Sequence, residues 1–103
     1  MSTRENIDIA KAILEQLGGS RFSAMTGAKN FASGVRSLQF SLPRAQKNGA
    51  NKVRIKLTRD DLYTVEFWFL RGAHLSRVSV HDMVYADQLR ALFTRETGLD
   101  TSL

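Results

Sequence analysis

Lys52, Arg54 and Lys56 occupy alternate positions of the segment KVRIKL, with Val53, Ile55 and Leu57 between them. Such alternation marks a half-buried β-strand, which sends successive side chains to opposite faces. The three cations would then form an outward row about 7 Å apart, a spacing that resembles the phosphate repeat of a nucleic-acid strand. Glu66 and Trp68 share outward parity on the adjoining predicted strand, and a tryptophan beside a row of cations suits base stacking. The same row also describes an edge strand kept soluble by lysines. Trp68 could equally pack under a helix or a partner.

The remaining candidates carry less chemistry. Thr26-Gly27-Ala28-Lys29-Asn30 has the composition of a phosphate-cradling loop. It lacks the G-x-x-x-x-G-K-[ST] spacing of a nucleotide triphosphatase, and a capping turn between Met25 and Phe31 accounts for it better. His74 and His81 are the only histidines. His81-Asp82 is half of an acid–base pair without a nucleophile or third group. No ligands recur around either histidine at metal-binding spacing, and cysteine is absent. Asp60-Asp61 falls in a turn, where aspartate bonds its own backbone. The expectation is a protein that is not an enzyme, with no catalytic residue, metal ligand or cofactor.

The elements that would position these residues follow from pattern. Ser2 and Glu5 stand at capping-box spacing, and Ile7, Ala10, Ile13, Leu14 and Leu17 repeat at helical intervals before Gly18-Gly19. A helix is predicted over 3–17. Residues 20–36 read as a compact irregular segment anchored by Phe22, Met25 and Phe31, with at most a short strand before Thr26-Gly27. Strands are predicted over 37–42, stopped by Pro43, then over 52–58, 62–70 and 75–81. In the last of these, Ser76, Val78 and Val80 are expected on one side. Asp82 is expected to cap a final helix reaching Thr97, with Tyr85, Leu89, Leu92 and Phe93 as its buried stripe, and Gly98 to end it. The predicted fold class is α+β: one helix, a four-stranded antiparallel meander and a C-terminal helix. Both helices would cover one face of the sheet, within a single domain over 1–103.

Charge is distributed unevenly. The chain of 103 residues carries a formal +5, yet residues 16–59 hold nine cations and no carboxylate. Clustered cations repel one another unless an anionic partner uses their field, or unless folding brings the acids of the two ends beside them. No apolar run is long enough for a membrane span, and the N-terminal residues lack a signal-peptide core. A cytosolic location is expected.

Three blocks, LGGSRFSAMTGAKNF (17–31), DLYTVEF (61–67) and YADQLRALFTRETGLDTSL (85–103), resemble a family of small proteins encoded by phages, prophages and plasmids. The resemblance implies a mobile genetic element as the setting, without a biochemical activity to carry over. Such proteins often bind nucleic acid or block host defences. The leading expectation is binding of DNA or RNA, or another polyanion, through Lys29, Arg44, Lys47, Lys52, Arg54, Lys56, Arg59 and Trp68. An alternative is an anti-CRISPR-type inhibitor that binds a host protein or ribonucleoprotein through Phe22, Met25 or Trp68. A third is a virion structural or assembly protein, for which a homo-oligomer would be expected.

Overall fold

The computed structural model describes residues 3–101. The first helix, α1 (Thr3–Leu17), buries Ala10, Ile13 and Leu17 along one stripe, as its spacing predicts. Gly18 and Gly19 end it with positive φ, their N–H groups returning to the carbonyl of Leu14. Ser2, the expected cap, lies outside the described residues.

The segment read as irregular contains two elements, α2 (Ser20–Thr26) and β1 (Lys29–Gly34). At seven residues α2 is too short to stand on helix propensity. Phe22 holds it in place: fully buried, its ring meets Phe40 at 5.4 Å and Phe93 at 5.1 Å, both edge-on. Burying such a side chain stabilises by roughly 2–3 kcal/mol. Phe22 is therefore core, which removes it from the exposed patch expected for an inhibitor. The helix stops at Gly27 (φ 74°), whose N–H reaches the carbonyl of Ser23. Thr26 seals the exit, donating to the Phe22 carbonyl and accepting from the Ala28 N–H.

From there the chain forms a five-stranded antiparallel sheet in sequential order, β1 to β5, rather than four strands. The others are β2 (Ser37–Ser41), β3 (Lys52–Leu57), β4 (Tyr63–Arg71) and β5 (His74–Val84). Leu38, Phe40, Val53, Ile55, Val65 and Phe67 face inward and form one continuous buried cluster with the helices. Strand β5 runs three residues beyond the predicted His81. Asp82 does not cap a helix; it stays in the strand and accepts a hydrogen bond from the Thr64 hydroxyl at 3.1 Å. A short 3-10 turn (Ala86–Gln88) leads instead into α3 (Leu89–Thr97), with Gln88 Oε1 accepting the Tyr85 N–H. Leu89, Leu92 and Phe93 are buried as expected, whereas Tyr85 is 57% exposed. Gly98 (φ 78°) closes α3 by donating to the Thr94 carbonyl.

The last strand departs from simple alternation. Phe67 pairs with Ser79 but Trp68 pairs with Arg77, so Val78 is an inserted residue. Ser76, opposite the inward-parity Phe69, and Val80, opposite the outward Glu66, consequently lie on different faces. The predicted common side for Ser76, Val78 and Val80 does not form.

Candidate nucleic-acid interface

Cross-strand partners share a face, so the registers map the side of the sheet opposite the helices residue by residue. One row crosses all five strands: Lys29, Ser41, Lys52, Trp68, Arg77. The next holds Ala32, Gln39, Arg54, Glu66 and Val80. A third runs Gly34, Ser37, Lys56, Thr64, with Asp82 bonded to Thr64 at its end. The face thus bears Lys29, Lys52, Arg54, Lys56 and Arg77 against Glu66 and Asp82. Among the described residues, none of these cations has a carboxylate within ion-pair distance. Five cations against two carboxylates leave this face with a net positive charge that Glu66 and Asp82 only partly offset.

Trp68 sits within this field, partly buried and held at two points. Its Nε1 donates to Glu66 Oε1 at 3.0 Å, and the Arg77 guanidinium lies 5.6 Å from the ring centroid. These contacts fix the indole instead of leaving it to sample rotamers. A cavity of about 180 Å³ opens beside it, lined by Gln39, Lys52, Arg54, Trp68 and Leu75. Lys52 lies directly opposite Trp68, and Arg54 opposite Glu66.

The other expected site residues distribute unevenly. Lys29 joins the face through its pairing with Ser41. Arg59 is exposed in the turn after β3 and lines a larger cavity with Lys56. Arg44 is exposed in the loop before β3, where its carbonyl accepts a bond from Gln46 Nε2. Lys47 belongs elsewhere: its N–H bonds the Thr97 carbonyl and its aliphatic stem lies against Gly98, at the end of α3. The loop folds back onto the helical layer and takes Lys47 with it, away from the cation rows. Met25 is only partly exposed.

Two cations escaped the sequence reading, Arg77 on this face and Arg36 in the turn at its margin. Arg77 reaches it through the bulge at Val78, which has no composition signal in SRVSV. Arg36 lies between β1 and β2 with φ 53°, a conformation rare for a side chain of its size. Asn6 Oδ1 accepts its N–H at 3.0 Å. Its guanidinium donates to the carbonyls of Leu57 and Thr58, both at 3.2 Å. Its carbonyl accepts the Leu57 N–H at 2.8 Å, and a positive-φ arginine held by four bonds is a position that the surrounding structure over-determines.

The Thr26–Asn30 motif serves as a joint between helix and strand. At Gly27 a Cβ would meet the Pro43 ring at 3.0 Å, so this backbone abuts the loop after β2 and offers no open cradle. On the inner face, Ser79 Oγ donates to Glu96 Oε1 at 3.0 Å and His81 Nε2 lies 3.0 Å from the same oxygen. These groups share one acceptor and provide no nucleophile–base relay. Among the described residues no three His, Cys, Asp or Glu side chains are grouped to hold a metal ion. No described helix is long and apolar enough to cross a membrane. Comparison with protein-family models, curated proteins and solved structures finds no match to this chain.

Proposed function

We propose that the protein binds single-stranded nucleic acid on the open face of its sheet, without catalysing a reaction on it. The observation that carries this reading is the row Lys29–Ser41–Lys52–Trp68–Arg77, which places the indole among cations that no carboxylate pairs. Lys52, Arg54 and Lys56 track a phosphate backbone while an unpaired base enters the cavity beside Trp68. A duplex keeps its bases stacked within the helix and could use only the phosphate contacts, which give affinity without sequence readout. The setting implied by the family resemblance, a mobile element in a bacterial cytoplasm, supplies single strands during replication and transfer.

The test is fluorescence anisotropy with labelled single-stranded DNA, RNA and duplex DNA over a salt series. Single strands should bind more tightly than duplex at every salt concentration. The logarithm of affinity should fall with log salt by about 0.7 per phosphate contacted. Replacing Lys52, Arg54 and Lys56 together by Gln should lower that slope by about 2. An unchanged slope would remove this face from consideration.

One observation favours a second reading, a protein partner. Strand β5 is an edge, and Leu75, Val78, Val80 and Met83 are exposed along it, at 39% or more. A long apolar edge suits addition of a partner's strand. Pull-down of a host protein that is lost on Val80→Lys, with no nucleic-acid binding, would favour that reading.

A further inference from the structure

The cations of the open face do not end with the β3 row. Beyond Lys56 the surface dips into a cavity of about 450 Å³ between the β1–β2 turn and the turn after β3. That volume is in the range of small-molecule sites. Arg36, Lys56, Arg59 and Glu66 are its charged lining residues; three cations against one carboxylate leave +2 at its wall. Asp60 and Asp61 belong to the adjacent turn but do not line it. Glu66 is moreover occupied, its Oε1 accepting from Trp68.

We propose that this cavity is a binding site for a phosphate monoester, such as the terminal phosphate of a nucleic-acid strand or the phosphate of a free nucleotide. Charge supports a monoester over the diesters within a strand. A monoester carries about −1.5 to −2 at neutral pH, close to the wall's charge, whereas each internal diester carries one charge. Preorganisation supports the site as well. The Arg36 guanidinium is fixed by the Leu57 and Thr58 carbonyls through Nε and Nη2, and Nη1 takes no part in those bonds. Arginine held this way loses less freedom on binding an anion than a free surface lysine. The Thr58 hydroxyl accepts the Leu62 N–H, so its own hydrogen can be donated to a phosphate oxygen. Val35, two-thirds exposed on the rim, and Leu57 offer an apolar wall to a sugar. Lys52 and Lys56 are four residues apart on β3, about 13 Å. A base at Trp68 and a terminal phosphate in this cavity are therefore compatible within one short strand. The inference extends the nucleic-acid reading but rests on Arg36, which that reading does not use, and on Arg59 at the cavity wall instead of on the row of Lys52 and Arg54.

The experiment compares oligonucleotides of one sequence bearing a 5′-phosphate, a 3′-phosphate or hydroxyls at both ends, at fixed salt. In parallel, a nucleoside 5′-monophosphate and the nucleoside are titrated and followed by backbone amide shifts. One phosphate-ended strand should bind about tenfold tighter than its hydroxyl-ended twin, the gain expected from charge-assisted hydrogen bonds. Arg59→Gln, in an exposed side chain, should erase that ratio, whereas Lys29→Gln should leave it intact. Arg36→Gln should do the same as Arg59→Gln if it folds; Arg59→Gln decides the matter if it does not. Equal affinities for all ends, with no monophosphate shifts around residues 35–36 and 56–59, overturn the proposal and leave strand binding standing. Shifts there from the monophosphate but not the nucleoside, without binding of any strand, uphold the pocket and overturn the nucleic-acid reading.

Discussion

Arg77 is the direct cross-strand partner of Trp68, and its guanidinium lies 5.6 Å from the centre of the indole. Strict alternation would have set Val78 against Trp68, because Val80 faces Glu66 and Ser79 faces Phe67. The inserted residue moves Arg77 into that place and exchanges an apolar neighbour for a cation. The bulge thus sets both the charge of the face and the orientation of its only tryptophan.

Trp68→Ala should weaken single-strand binding by about 1–3 kcal/mol, the usual loss of one stacked base. Trp68→Phe should recover part of it. As the chain has a single tryptophan, quenching of its emission on titration with oligonucleotide reports the contact directly. Unaltered emission at saturation would place the bound strand elsewhere.

Lys29 and Lys47 separate the geometry from net charge, since each substitution removes one cation. Lys29 stands on the open face opposite Ser41, and Lys47 lies beside Gly98 on the helical side. Lys29→Gln should weaken binding and lower the salt slope by about 0.7, whereas Lys47→Gln should leave the slope unchanged. Equal effects in the two variants would mean that binding follows total charge and not this surface.

Much of the frame was legible because its signals are local. The stripe of α1, the alternation in β2, β3 and β4 and the glycine after Thr97 each name their element within a few residues. Strand β1 was hidden because none of its residues is fully buried, which leaves no apolar alternation to read. The start of α3 was misplaced because Asp82 is both a good cap and a good acceptor for Thr64, and only the pairing of β4 with β5 decides between them. The site was legible where it follows strand parity, at Lys52, Arg54, Lys56 and Trp68. It was illegible where tertiary structure decides: Arg77 depends on a bulge, Arg36 on a turn bound to α1, and Lys47 on a loop that folds back.

The dense MTGAKNF block has a structural demand at its centre. Gly27 adopts φ +74°, where an L side chain costs about 1–2 kcal/mol, and a Cβ there would press on the Pro43 ring. Gly27→Ala should destabilise by at least that amount in urea unfolding, without altering oligonucleotide affinity at temperatures where the variant stays folded. Loss of binding with stability preserved would reassign the block to a partner contact.

Glu96 ties α3 to the inner side of β5 through Ser79 and His81. Burial pushes its carboxyl upward, but the bonds from His81 and Ser79, the attraction of His81 and the nearby Asn48 amide outweigh it. The Asn48 Nδ2 completes no hydrogen bond, so its share is a dipole effect at most. The net pKa lies below the ordinary 4.5. A lowered folded-state value means that ionised Glu96 stabilises the protein above about 4.5, and that this contribution is lost as pH falls through the folded value. Glu96→Gln should therefore be less stable than the parent near neutral pH, by about 1 kcal/mol. The gap between their urea midpoints should narrow as the solution is acidified past that range. A gap that stays constant with pH would show that the carboxylate's charge contributes nothing and that only its shape is used.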